Sequence, residues 1–154
     1  MGLDTVNFPV PVVSVVPHKE VMCLLRNVIS HSTEETVCDI LISRDSIFFS
    51  KEGVGSWVGL EYMAQAVAAH AGMCSFKDGS PPRIGFLLGS RKVYLEVPYF
   101  ECGSTLHIKV QPIWGEGELF SFRCVIQKQG EPTLLARAEL NVFRPTHLPL
   151  EDNP

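Results

Sequence analysis

The chain has 154 residues, of which 45% are hydrophobic, and its formal net charge is −4. This length and composition predict one domain that buries a core without disulfides or metal, and the acidic balance argues against nucleic acid or an anionic membrane surface as the main partner. The five cysteines are widely spaced and include no C-x-x-C pair, so neither a disulfide framework nor a zinc site is predicted. The N-terminal apolar stretch is interrupted by Pro9, Pro11 and Pro17, so it is expected to be a poor signal peptide. No apolar run approaches the roughly 20 residues that a membrane span requires, and we expect a cytoplasmic location.

The predicted elements are mostly strands, interrupted by one helix. Residues 21–30 and 36–43 are apolar, β-rich and separated by a polar turn, which predicts a hairpin. Residues 53–72 are apolar and rich in small side chains, and they predict a helix. After a break that contains Gly and Pro, five more strands are predicted over residues 84–89, 92–97, 105–114, 119–127 and 134–143.

The balance of elements predicts the architecture. One long helix among about six or seven strands cannot form a layer equal to the sheet, so we predict an α+β domain in which a curled antiparallel sheet wraps around one central helix. Leu106, Ile108 and Val110 alternate with polar neighbours, as in an antiparallel strand with one solvated face. We expect a single domain over residues 1–154, with its core between about 16 and 146 and a flexible tail over 147–154.

Glu61 is a single carboxylate within the apolar helical stretch. At 100° per residue, Glu61 falls inside the small apolar face centred on Trp57, so its carboxylate is predicted to point at the core. An unpaired buried carboxylate is costly unless it is protonated or hydrogen-bonded, which indicates a function. The alternative interpretation is that Glu61 lies at the margin of this face and reaches solvent or an arginine such as Arg83 or Arg91.

The helical stretch carries a family resemblance. It contains VGLEYMAQAVAAHAG, which resembles the central helix of the hotdog-fold 3-hydroxyacyl-acyl-carrier-protein dehydratases, where an acidic residue follows a Gly-Leu pair and precedes a Gln by four residues. The resemblance extends from about Val16 to Thr146 and includes, in the family's order, PHKEVMCLLRNVI, IGFLLGSRKVYLEVPYFECGSTLHIKV and LLARAELNVFRPT. The chain also closely resembles the divergent dehydratase that aryl polyene pathways pair with a conventional one.

The resemblance implies a hotdog fold and a reaction that removes water from a 3-hydroxyacyl thioester to give a trans-2-enoyl thioester. By position, Glu61 matches the catalytic acid that protonates the departing hydroxyl. Ser56 matches the family's glycine, whose backbone N–H polarises the thioester carbonyl. Gln65 matches the glutamine of the helix and is expected to be a binding residue. No cofactor and no metal are implied.

The family's catalytic histidine is missing from its expected place, which here falls at Ile47 or Phe48, and no histidine occurs between residues 32 and 69. Two other histidines are candidates for a replacement base, His70 and His18. His70 lies about 180° around the helix from Glu61, so we expect it outside the pocket of Glu61 and partly exposed or at an interface. His18 is expected to form a structural hydrogen bond. The remaining histidines are expected to be solvated: His31, His107 and His147.

Three functions therefore remain open. The first is a dehydratase subunit whose dimeric partner supplies the missing histidine, because sites in the resembling family are composite. The second is a hotdog thioesterase in which Glu61 activates water, and the third is a noncatalytic acyl-binding scaffold. We expect a homodimer or a heterodimer with a histidine-bearing dehydratase, since the exposed edge of a hotdog sheet pairs with a second chain. The expected substrate carrier is acyl carrier protein, an acidic partner that would dock on Arg83, Arg91 and Lys92.

Overall fold

The computed structural model describes residues 6–18, 20–77, 79 and 85–145. Within these residues, five strands precede one long helix, α1 (Gly59–Lys77), and five follow it. The strands are β1 (Val10–Pro11), β2 (Asn27–His31), β3 (Thr36–Leu41), β4 (Phe49–Ser50), β5 (Gly53–Gly55), β6 (Phe86–Leu95), β7 (Tyr99–Phe100), β8 (Thr105–Glu116), β9 (Leu119–Lys128) and β10 (Leu134–Phe143). Single turns of 3-10 helix occur at Val12–Ser14, Glu20–Met22 and Ser56–Val58.

The strands form two antiparallel sheets. The larger sheet has seven strands in the order β1-β2-β3-β8-β9-β10-β6, and the smaller has three in the order β4-β5-β7. Helix α1 packs against the larger sheet, mainly against β8, β3 and β9. An antiparallel sheet curled around one central helix was predicted from the balance of elements, and this architecture is confirmed.

The core lies between α1 and the larger sheet. Helix residues that alternate at three- and four-residue spacing are fully buried, among them Tyr62, Met63, Ala66, Ala69 and Met73. The predicted alternation on β8 is confirmed, because Leu106, Ile108 and Val110 are all buried. No helix in the described part of the chain is long and apolar enough to cross a bilayer.

The N-terminal segment extends the core beyond its predicted start at residue 16. Val10, Val12 and Val15 are all buried, and the carbonyl group of Val15 lies where a Cβ atom on Gly72 would be. The sequence predicts this boundary too late because the prolines of the segment interrupt its apolar pattern. The predicted tail over residues 147–154 lies outside the described residues.

Several predicted elements have different bounds in the structure. The strand predicted over residues 21–30 is β2, which begins only at Asn27, after the 3-10 turn Glu20–Met22. The helix predicted over residues 53–72 begins only at Gly59, because Gly53–Gly55 pair with β4 and β7 as strand β5, and it continues to Lys77. The strands predicted over 84–89 and 92–97 are one strand, β6, whose pairing with β10 is irregular at two positions. Lys92, with φ of 51°, lies at one of these irregularities.

Candidate functional site

A cavity of about 360 Å³ lies between one side of α1 and the strands β6, β9 and β10. Most of its wall is apolar. The helix contributes Ala64, Val67, Ala68 and Ala71, and the sheet contributes Leu87, Phe120, Phe122 and Val142. A small number of polar side chains completes the lining: His18, Glu61, His70 and Arg144. An apolar cavity with few, separated polar groups is typical of a site for a small, largely apolar ligand.

Glu61 lies in the first turn of α1, where a negative charge is favoured by the helix dipole. Its side chain is exposed, so the prediction that the carboxylate points at the core is wrong for the single chain. The predicted face was centred on Trp57, which lies in the 3-10 turn before the helix and is 59% exposed. The small residues of that face line the cavity, and Glu61 lines it with them.

Gln65 holds Glu61 in place and ties α1 to the preceding segment. Its side-chain nitrogen donates one hydrogen bond to Glu61 Oε1 at 3.0 Å and another to the Met22 carbonyl at 2.8 Å. Its side-chain oxygen accepts a hydrogen bond from the Leu24 N–H at 2.8 Å. Because Gln65 itself is only 1% exposed, its amide is held in one orientation and fixes both neighbours. The amide thus positions Glu61, and a direct contact between Gln65 and a ligand stays a prediction.

Ser56 does not lie among the residues that line the cavity. Its backbone N–H donates a hydrogen bond of 3.0 Å to the carbonyl of Pro98, at the end of the loop that leads into β7. A backbone N–H has one hydrogen to donate, so this bond leaves none for a thioester carbonyl. The structure therefore does not support the role predicted for Ser56. The prediction rests on local spacing, from which pairing across the smaller sheet could not be foreseen.

His70 lines the same cavity as Glu61, which corrects the prediction that it lies outside that pocket. The two residues are indeed about half a helical turn apart in azimuth, but the cavity follows half the circumference of α1 and includes both edges. His70 is 6% exposed, so the predicted exposure is also wrong for this chain. Burial, together with the nearby His31 and Arg144, lowers the pKa of His70 from 6.5 to about 4.

A buried threonine connects His70 to a second histidine. The Thr36 hydroxyl oxygen lies 2.7 Å from His70 Nδ1 and 2.7 Å from His31 Nδ1. His31 Nε2 lies 3.9 Å from the Cys74 thiol, and Cys74 also lines the cavity. The prediction that His31 is solvated is therefore wrong, since β2 and β3 turn its ring towards α1.

His18 lines the cavity from the N-terminal segment. Its Nδ1 is enclosed by protein and has no hydrogen-bond partner among the described residues, so the structural hydrogen bond predicted for His18 is absent at that atom. His107 Nε2, on β8, is likewise enclosed without a partner among these residues, although the ring was predicted to be solvated. His147 lies outside the described residues. The sequence could not place His18 in this cavity, because a segment distant in sequence from α1 brings it there.

Two of the three basic residues predicted to dock a carrier protein are described. Arg91 and Lys92 lie on β6, and Lys92 Nζ is 3.5 Å from a carboxylate oxygen of Glu139. Arg83 lies outside the described residues. Within the described part of the chain, no group of three His, Cys, Asp or Glu side chains could hold a metal ion.

Comparison with solved structures identifies the fold and a specific relative. One chain of the dehydratase heterocomplex ApeI:P from Xenorhabdus doucetiae matches with a TM-score of 0.80 and 29% identity, over 91% of this chain and 93% of that chain. AziG from S. sahachiroi matches with a TM-score of 0.63 and 12% identity, over 82% of this chain and 96% of that one. Thioesterase superfamily member 2 from Mus musculus matches with a TM-score of 0.60 and 10% identity, over 80% of this chain and 84% of that one.

The last two structures share only the hotdog fold with this chain, since their sequence identity is low. No protein with a curated description matches the sequence. The family model described as "ApeP-like: ApeP dehydratase" matches residues 10–151, almost the whole chain. The resemblance to hotdog dehydratases is thereby confirmed, and the chain belongs to the ApeP-like dehydratase family.

Proposed function

We propose that this chain is a subunit of a 3-hydroxyacyl-acyl-carrier-protein dehydratase in fatty-acid-like or polyene-type biosynthesis, in which Glu61 is the catalytic acid. The observation that carries the proposal is the position of Glu61, held by Gln65 beside an apolar cavity that suits an acyl chain. Membership of the ApeP-like dehydratase family supports the same reaction.

The reaction requires an acid and a base close together. A base removes the proton from C2 of the acyl chain, Glu61 gives its hydrogen to the C3 hydroxyl, and water leaves as the C2–C3 double bond forms. His70 is poorly placed as that base, because nine residues of helix separate it from Glu61 by about 13 Å along the axis. Its Nδ1 is also bonded to Thr36, and its lowered pKa makes it a weak base.

A partner chain that carries the family's histidine would supply the base. Glu61 is exposed in the single chain, so a second chain can approach it directly. Removing a carboxyl group from water favours its protonated form, which is the form an acid catalyst needs. The similar chain from Xenorhabdus doucetiae comes from a dehydratase heterocomplex. In such a heterodimer one of two tunnels would hold both the acid and the base, and only that site would be active.

The acyl chain would arrive on acyl carrier protein. Because this chain is acidic overall, docking of an acidic carrier would depend on a local basic patch. Arg91 is exposed on β6, whose Leu87 lines the cavity, and Lys92 is next to it. Lys92 is paired with Glu139, which partly neutralises its positive charge. We therefore assign the larger contribution to carrier binding to Arg91.

The experiment replaces Glu61 by Gln in the complex with a histidine-bearing hotdog subunit recovered by copurification. Glu61→Gln keeps the side-chain size but cannot give up the required hydrogen, so enoyl formation should fall by about 10²-fold or more while assembly is unchanged. Glu131→Gln is the control, because Glu131 is an exposed acid in the turn between β9 and β10.

The products separate the three candidate functions. Enoyl thioester that depends on Glu61 supports the dehydratase, and free thiol released from a plain acyl thioester by the chain alone would indicate a thioesterase. If the complex forms enoyl product at the same rate with Glu61 and with Gln at this position, the chain acts as a scaffold and the proposed role of Glu61 is wrong.

A further inference from the structure

The segment that carries His18 is fixed along α1 on the same side as Glu61. Before His18, Val15 packs so closely on Gly72 that its carbonyl occupies the space of a Cβ atom there. After His18, Met22 and Leu24 are hydrogen-bonded to the side chain of Gln65. At 100° per residue, Gly72 and Gln65 lie within about 40° of Glu61 around the helix. Both anchors therefore lie on the Glu61 side of α1 in azimuth, and His18, which is between them in the chain, lines the same cavity as Glu61.

One ring nitrogen of His18 makes no hydrogen bond within the described structure. Its Nδ1 is enclosed and has no hydrogen-bond partner among the described residues. An enclosed N–H without an acceptor is less tolerable than an enclosed lone pair. A neutral imidazole carries a single N–H, so this environment favours the hydrogen on Nε2. The ring lines the cavity, and Nε2 is then the donor it can offer to a ligand.

We infer that His18 donates a hydrogen bond from Nε2 to the thioester carbonyl oxygen of the acyl ligand, an inference that rests on the proposed dehydratase function. The ligand has two oxygens near the reacting carbons, and Glu61 serves the one on C3. The carbonyl oxygen gains negative charge when the C2 proton leaves, and it needs a fixed donor. Ser56, the donor expected from the sequence, has its N–H bonded to Pro98. His18 lines the same cavity as Glu61, and because its Nδ1 has no hydrogen-bond partner among the described residues, its Nε2–H is the donor that remains for the ligand.

The test measures binding of two ligands that cannot be dehydrated, octanoyl-pantetheine and the thioether octyl-pantetheine, which lacks the carbonyl oxygen. Calorimetry on the full chain compares wild type with His18→Phe and His18→Gln, the second of which keeps a donor of similar reach. His18→Phe should weaken binding of the thioester by about 2- to 10-fold, the size of one hydrogen bond, and leave binding of the thioether unchanged. His18→Gln should restore part of the loss.

The control is His107→Phe, which removes the other enclosed nitrogen without a partner among the described residues, on β8 and away from the cavity lining. It should change the binding of neither ligand. Equal weakening of both ligands by His18→Phe would overturn the inference, since the ring would then contribute only packing. If wild type binds neither ligand, the acyl cavity itself and the proposed function fail together. If both ligands bind but His18→Phe has no effect, only the inference fails.

Turnover in the heterodimer gives a second readout. If His18 is a hydrogen-bond donor, His18→Gln should retain more activity than His18→Phe, because glutamine donates but does not take up a proton at neutral pH. Equal loss of activity in both variants, with thioester binding unchanged, would show that His18 is a base and not the carbonyl donor.

Discussion

At the scale of single residues, a short sequence motif predicts only some of the side-chain contacts of the site. The spacing of Glu61 and Gln65 predicts a pair on one side of a helix, and the structure joins them by a hydrogen bond. The surroundings of His70 could not be predicted in this way. Its hydrogen-bond partner, Thr36, lies 34 residues earlier in the sequence on β3, and no local pattern connects the two.

The buried position of His70 predicts how stability depends on pH. The unfolded chain takes up a proton on this residue near pH 6.5, whereas the folded chain does so only near pH 4. Between these values the unfolded state binds more protons, so the free energy of unfolding should decrease as the pH falls. We expect His70→Gln to remove a part of this decrease on the order of 1 kcal/mol, measured by urea unfolding at pH 7 and pH 5. An identical pH dependence in wild type and variant would contradict the lowered pKa.

At the scale of elements, the sequence predicts the long strands β9 and β10 more accurately than the starts of β2 and of the helix. The predicted bounds of β9 and β10 are within one residue of the structure, because both are long, alternating strands in the middle of the sheet. The predicted helix start is wrong by six residues, because Gly53–Gly55 form a strand that pairs with Tyr99–Phe100, about 45 residues away. The strands of the smaller sheet are two or three residues long and are determined by such distant pairing.

The contact between α1 and the N-terminal segment predicts an unusual response to a helix-favouring substitution. Alanine in place of glycine inside a helix normally stabilises it by about 1 kcal/mol. At Gly72 the added Cβ would meet the backbone carbonyl of Val15, which cannot rotate away, so Gly72→Ala should destabilise the protein by about 1 to 3 kcal/mol. Urea unfolding measures the change, and Gly89→Ala is the control, because nothing lies within 4 Å of a Cβ there. A net stabilisation by Gly72→Ala would show that the segment can move aside freely.

At the scale of the whole molecule, one edge of the larger sheet is unusually apolar. Strand β6 is the last strand of that sheet and pairs with β10 on one side only. Its exposed side chains include Phe86, Leu87, Leu88, Val93, Tyr94 and Leu95. An edge strand with unpaired backbone groups and exposed apolar side chains is a site where a second chain can pair. Leu87 also lines the cavity, so a chain that covers this edge would lie next to the proposed site.

This edge predicts how assembly responds to a single charge. Leu88 on β6 is 61% exposed, so Leu88→Asp should change the free energy of unfolding of the separate chain by no more than about 0.5 kcal/mol. If a second chain packs on β6, the new carboxylate would be buried without a partner, and association should weaken by about tenfold or more. Val21→Asp is the control, since Val21 is 78% exposed in a 3-10 turn away from this edge. Sedimentation of each variant, alone and with the histidine-bearing subunit, measures the effect. Equal association of the two variants would place the contact between chains somewhere other than β6, and Glu61 would then need a partner that approaches from another side.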